Sequence, residues 1–158
     1  MASPQTIHAV IENDRAGKYS DWEDFDDALW TALLPLIDLS SPETIFRLPE
    51  AVWVYFATRL LEWEVGNGSF AQAAVNFPEW FEPAAKGNEV LGKPNLASFI
   101  RAASQLIDPA SQQISDLQDG SEEGPFEVFD DQLEDLGWEC GEDRIQHVRS
   151  HRDQFSSL

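Results

Sequence analysis

Five carboxylates stand within the seven positions from Asp21 to Asp27: Asp21, Glu23, Asp24, Asp26 and Asp27. A second group runs from Asp116 to Asp135 and holds Asp116, Asp119, Glu122, Glu123, Glu127, Asp130, Asp131, Glu134 and Asp135. No Lys or Arg occurs from Ala102 to Asp143, so the second group has no local counter-charge. On a helix, carboxylates at i, i+3 and i+4 lie roughly 5–6 Å apart at Cβ and repel by a few tenths of a kcal/mol per pair. Acidic residues do suit the positive N-terminal end of a helix and its solvated face. That covers about two or three of the five at Asp21–Asp27 and leaves the others to be explained. Carboxylates this dense could exchange protons, hold cations, or present negative charge to a basic partner.

The first two chemistries lack a specific pattern. Acid–base catalysis needs paired groups whose surroundings push their pKa values apart, and no pair stands out in so acidic a chain. Asp116 to Glu127 has the length of a calcium-binding loop, but Gly120 falls one position early and Gln118 stands where a carboxylate is needed. His147 and His151 lie one turn apart with Asp143 on the same face. That is short of a zinc set, and the HExxH arrangement is absent, so a solvated, partly cationic helix face is expected. Gly66-x-Gly68-x-x-Ala71 superficially fits a phosphate-cradling loop, which requires a preceding strand where a helix is expected here. Cys140 sits beside Glu139 and near Glu142, a negative field that disfavours a thiolate. No Ser has a His base recognisable from spacing. The expectation is a protein that is not an enzyme and has no metal and no cofactor.

Net charge sharpens the third chemistry. Twenty-nine acidic and ten basic residues in 158 give −19, whereas roughly −2 to −8 suffices to keep a small domain soluble. Such a chain repels nucleic acid and anionic membranes and attracts basic proteins, polyamines and divalent cations. A general adaptation of acidic surfaces to high salt is the competing explanation. A hydrophobic content of 42% with six Trp marks a folded chain, since disordered acidic segments lack such aromatics. The length suits one domain with one core. The single Cys140 fits a reducing cytoplasm. Met1-Ala2-Ser3-Pro4-Gln5 lacks the basic residues and apolar core of a signal peptide, and no apolar run approaches the roughly 18 residues of a membrane span. A cytoplasmic location with no membrane association is expected.

The elements that must carry these side chains read as helices throughout, with no alternating β-branched run. Ser3-Pro4 starts a first helix to about Arg15, with Ile7, Val10 and Ile11 on one face. Ser20 and Glu23 read as a capping box for a second, which places Trp22, Phe25, Leu29 and Leu33 at helical spacing and stops at Pro35. Leu48–Asn76 is the organising stretch. Pro49 opens a helix apolar on nearly every side, as a central helix must be. Gly66-Asn67-Gly68 ends it through a left-handed glycine, and Ser69 caps a short helix that begins at Phe70. Pro83 leads a helix ending at Gly92, and Pro94 leads another with Leu96, Phe99, Ile100, Ala103 and Ile107 in a stripe. Phe126, Phe129, Leu133 and Leu136 mark a helix whose other faces carry the second acidic group. A last helix, about Gly141–Gln154, turns Ile145 and Val148 inward and carries Arg149 and Arg152 near its C-terminus, where cations suit the dipole. Trp80 and Trp138, each beside a carboxylate, are expected to be partly exposed.

Glu64-Val65-x-Asn67-Gly68-x-Phe70-x-Gln72, followed by Asn76, resembles the signature of a bacterial DNA-mimic protein family. Members usually carry Gly-Gly-Phe where this chain has Gly68-Ser69-Phe70, and paired aromatics where it has Ala73-Ala74. The resemblance runs from about Ala51 to Ile107 and resumes near Phe129 with Asp130-Asp131-Gln132 and Arg149-x-His151. It implies an all-helical fold and DNA mimicry, with the motif itself read as a helix–turn–helix corner. Together these readings predict an all-α fold: one compact multi-helix domain over 1–158 around the central apolar helix, without significant sheet, and with a mobile acidic loop at about 108–125. The expected function is an acidic protein-binding module whose two carboxylate groups stand in for phosphates. It would occupy the DNA-binding surface of a transcription factor or another basic nucleic-acid-binding protein, without touching nucleic acid directly, as a monomer or a homodimer. The alternative is an adaptor or immunity-type module whose partner does not bind DNA and which uses the Trp surface.

Overall fold

The computed structural model describes residues 5–107 and 126–158, so the acidic loop expected at 108–125 lies outside the described residues. Every regular element among them is helical and none is a strand. Nine α-helices are described: α1 (Ile7–Arg15), α2 (Trp22–Leu33), α3 (Glu50–Asn67), α4 (Phe70–Asn76), α5 (Phe81–Val90), α6 (Pro94–Ser104), α7 (Glu127–Gln132), α8 (Gly141–Ser150) and α9 (Arg152–Ser156). Short 3-10 turns occupy Leu34–Leu36, Pro42–Arg47, Pro78–Trp80 and Glu134–Leu136. None of the described helices is long and apolar enough to cross a membrane.

Local side chains set where the helices begin. Thr6 is extended and its hydroxyl accepts the Ala9 N–H, so α1 starts at Ile7; Ser3-Pro4, where a start was expected, lie outside the described residues. At α2 the cap is Asp21, whose carboxylate accepts the Asp24 N–H at 2.9 Å. The expected Ser20 box is displaced by one residue, since Asp caps as well as Ser and adds a charge that suits the helix dipole. Ser69 caps α4 as expected, accepting the Gln72 N–H. Gly92 closes α5 in the left-handed region at φ 77°, where a Cβ would be strained. Gly66 and Gly68 do not adopt that conformation. The helix continues through Gly66 to Asn67, and Gly68 instead makes room for Gln72, whose side chain would lie inside a Cβ placed there.

The chain forms two compact units, Met1–Phe56 with Cys140–Leu158, and Ala57–Glu139. Helix α3 contributes to both. Ala51, Val52, Val54, Tyr55, Phe56, Ala57, Thr58, Arg59, Leu60 and Leu61 are all buried along it, as a central apolar helix requires.

In the first unit, α1 packs on α2 and α9, and α2 packs on α8. Val10, Ile11, Phe25, Leu29, Leu33, Ile145, Val148 and Phe155 form the core with the start of α3. Burying side chains of this size contributes about 1.5–3 kcal/mol each. Trp30 stacks on Phe56 at 4.7 Å between ring centroids, and Tyr55 meets Phe155 edge-on. The Gln154 side-chain oxygen accepts the Ala51 N–H at 2.9 Å and so satisfies a free donor at the start of α3. The last helix is broken: α8 ends at Ser150, His151 leaves the helical region, and α9 restarts at Arg152. The break lets both Arg149 and Arg152 reach Asp14 on α1, so these cations serve an ion pair and not a solvated helix end. Nor is the histidine face solvated. His147 is half-buried, and burial followed by the neighbouring His151 holds its pKa below the ordinary value, with Glu50 opposing.

In the second unit, α5 packs on α6 and α4 on α7. Phe70 is the hub of an aromatic cluster, with Phe81, Phe99 and Phe129 at 6.0, 5.8 and 6.3 Å. Trp80 is fully buried here, contrary to the expected exposure, because the Pro78–Trp80 turn directs it inward ahead of α5. Trp138 is half-buried, and its ring edge would lie 3.3 Å from a Cβ at Gly66.

Candidate acidic interface

Four of the five carboxylates of the first group lie on the surface. Asp21, Glu23, Asp24 and Asp27 are exposed on the first turns of α2, whereas Asp26 is buried. The Asp26 carboxylate and its backbone carbonyl both accept the Tyr55 hydroxyl at 2.9 Å, which commits this side chain to the interior. The spacing explains the split. Asp26 follows Phe25 and precedes Leu29 by three, so it borders the buried stripe, while Glu23, Asp24 and Asp27 face away from it.

The first unit also brings in acid that the sequence reading left out. Gly141 opens α8 directly under the Trp22 ring: a Cβ there would fall 2.5 Å from the ring tip. The N-terminal turns of α2 and α8 therefore meet, and α8 carries Glu142 and Asp143, both exposed, in its first turn. The usable signal in the sequence was a glycine at the head of an acidic helix. Its pairing with Trp22, more than a hundred positions away, is a tertiary fact.

Of the second group, Asp116, Asp119, Glu122 and Glu123 lie outside the described residues. Glu134 begins the 3-10 turn that follows α7. Glu127, Asp131 and Asp135 are exposed, and Asp130 is half-buried. Phe126 and Leu133 are buried and Phe129 packs 5.1 Å from Phe99, so α7 lies with its apolar side down and its acidic side outward. Asp130 sits at the margin. Burial pushes its carboxyl above the ordinary value; the Phe70 N–H opposes this and the Asp131 and Glu127 charges add to it.

The distribution of cations makes these faces electrostatically distinct. Arg149 and Arg152 hold Asp14, Arg101 bridges Glu82 and Glu89, and Arg15 pairs with Glu12. Arg59 and Arg144 are buried. By contrast Glu23, Asp24, Glu127, Asp131, Asp135 and Glu142 take part in no ion pair among the described residues. No group of three or more His, Cys, Asp and Glu among the described residues is arranged to hold a metal ion. Trp63 on α3 is 55% exposed. Sequence reasoning passed over it, although it follows the buried run that ends at Leu61.

The motif residues build a corner. Glu64, buried near the end of α3, accepts from the Asn76 amide at 2.9 Å and lies 3.4 Å from the Gln72 amide, so α4 is tied back to α3. Phe70 fills the angle. A family model described as DMP19-like protein matches residues 46–151. No curated protein and no solved structure matches. The chain belongs to the DMP19-like family, the DNA-mimic family that its motif resembles. The match covers the corner, α7 and α8, and leaves the α2 carboxylates outside it.

Proposed function

We propose that this protein acts as a DNA mimic, presenting helix-borne carboxylates to the basic surface of a DNA-binding protein. The observation that carries the reading is the segregation of charge. Six of the seven arginines are buried or held in ion pairs, while Glu23 and Asp24 on α2, Glu127, Asp131 and Asp135 on α7 and the turn after it, and Glu142 at the start of α8 are exposed and take part in no ion pair among the described residues. A surface kept unneutralised at the cost of self-repulsion is suited to Lys and Arg that would otherwise neutralise phosphates. The face of α7 and the turn after it, with Glu127, Asp131 and Asp135, lies within the family match and is the primary surface; Glu23 and Asp24 on α2, joined by Glu142, form the second. The partner is a basic DNA-binding protein such as a transcription factor, met in the cytoplasm.

The test is capture of partners from a nuclease-treated lysate on the immobilised protein, with salt elution and competition by duplex DNA. A small set of DNA-binding proteins released by DNA is expected. Replacing Glu127, Asp131 and Asp135 by their amides should weaken capture and lower the salt slope by about one per lost contact, with an unchanged unfolding midpoint. Intact capture in that variant would remove α7 from the interface. The exposed Trp63 favours a second reading, an adaptor whose partner does not bind DNA, because exposed aromatics anchor protein interfaces. A complex indifferent to DNA and salt and lost on Trp63→Ala would establish it.

A further inference from the structure

One carboxylate of the α7 group differs from its neighbours in what it touches. Asp130 Oδ1 accepts the backbone N–H of Phe70 at 3.0 Å, across sixty positions of sequence. Phe70 is the first residue of α4, so its N–H is one of the four that a helix leaves without an internal partner. Ser69 supplies the acceptor for Gln72, and Asp130 supplies the one for Phe70. The residue before Asp130 engages the other end of Phe70: the Phe129 ring stands edge-on to the Phe70 ring at 6.3 Å. Helix α7 thus grips a single residue of the corner twice, by ring contact and by a charge-assisted hydrogen bond. Phe126 and Leu133, one turn either side, are buried and complete the docking. Glu127 and Asp131 point to solvent from the same short helix.

We propose that Asp130 is a positioning residue: its carboxylate registers the acidic helix α7 on the N-terminus of α4, holds Glu127 and Asp131 outward, and makes no contact with the partner itself. This assignment rests on the mimicry reading for the partner and on the hydrogen bond alone for the docking. Asp130 is poorly placed to imitate a phosphate. It is half-buried and one of its oxygens is already taken, while the Asp131 and Glu127 charges beside it oppose further negative charge.

Two substitutions separate the roles. Asp130→Asn removes the charge and keeps an oxygen that can accept the Phe70 N–H; Asp130→Ala removes both. Amide hydrogen exchange at Phe70, read by NMR in the full chain, should speed by about tenfold in Asp130→Ala and stay within about threefold of wild type in Asp130→Asn. In the wild type the Phe70 amide shift should titrate with the Asp130 carboxyl, above the ordinary aspartate range, and this titration should vanish in Asp130→Asn. A residue that merely filled space would give no such titration, and the titration decides the matter even if Asp130→Ala fails to fold. Binding is read with a fluorescent decalysine peptide. Glu127→Gln and Asp131→Asn should each reduce affinity, and Asp130→Asn should not. Phe70 exchange unchanged in Asp130→Ala, or a Phe70 amide that does not titrate, overturns the docking role. A loss of decalysine binding in Asp130→Asn as large as in Asp131→Asn overturns the exclusion of Asp130 from the contact. Absence of decalysine binding in wild type would count against the mimicry reading, while the exchange and titration results would still decide the docking role.

Discussion

Asp14→Ala should be the most damaging single change in the first unit away from its apolar core. Asp14 lies one residue from the end of α1, where a negative charge opposes the helix dipole by about 0.3–1 kcal/mol. Its side chain is only 3% exposed. It is held there by Arg149, whose Nε and Nη2 both donate, and by Arg152. Burial, the largest influence, pushes its carboxyl up, but the hydrogen bonds from Arg149 and Arg152 together with their charges outweigh it and leave the value below the ordinary one. Removing one partner of a buried ion pair costs about 3–5 kcal/mol. The Arg149 and Arg152 side chains are 30% and 26% exposed and can partly recover water, which lowers the figure, as does relief of the dipole conflict. A net loss of about 2 kcal/mol remains, or roughly 4–8 °C in a chain of this size. Urea titration and calorimetry of Asp14→Ala, Arg149→Ala and the double variant would measure it, with a coupling above about 0.5 kcal/mol expected between the two sites. The acid limb supplies a second check. Because the folded value is depressed, the contribution is present above the ordinary aspartate pKa and is lost as pH falls through the folded one, that is, below about pH 4. Asp14→Ala should therefore flatten the acid limb of the stability profile. A loss below about 0.5 kcal/mol, with an acid limb parallel to wild type, would refute the clamp.

Two further changes probe the corner and the acidic junction. Phe70→Ala removes a side chain that is 1% exposed from among three rings; a cost of about 3–5 kcal/mol is expected by urea titration, together with faster amide exchange throughout α7. Gly141→Ala places a methyl 2.5 Å from the Trp22 ring and should cost about 1–3 kcal/mol, with a change in tryptophan emission as Trp22 is pushed into solvent; unaltered emission and stability would separate α2 from α8.

Much of the helical plan was legible because its signals are local. The stripe Phe25–Leu29–Leu33, the prolines at 49 and 94 and the cap at Ser69 act within a turn or two and lie where the spacing puts them, whereas Pro83, read as a helix start, falls in the first turn of a helix that begins at Phe81. What was misread depended on distant partners. Arg149 and Arg152 looked like dipole-matched surface cations until Asp14, more than 130 positions away, supplied the carboxylate. Trp80 beside Glu79 looked amphipathic, yet its burial is decided by the turn that precedes α5. Gly66 and Gly68 were read for backbone freedom, whereas their small size is what the Trp138 ring and the Gln72 side chain require. The acidic groups were visible as composition. Their division into inward and outward members was not, because Asp26 and Asp130 turn inward for one hydroxyl and one N–H supplied from elsewhere in the chain.

That division bears on how a chain with 29 acidic residues stays folded. If the carboxylates were all equivalent, self-repulsion would oppose the compact state with little in return. Here the carboxylates do different work. Asp14, Asp26, Glu64 and Asp130 accept hydrogen bonds from side chains or backbone that join separate helices. Asp21 caps its own helix. At these positions negative charge serves as an acceptor, and hydrogen bonds to a charged group are about twice as strong as neutral ones. Glu23, Asp24, Glu127, Asp131 and Asp135 have no such role among the described residues. Neutralising them should leave the fold intact, so their density is best explained by what they meet outside it.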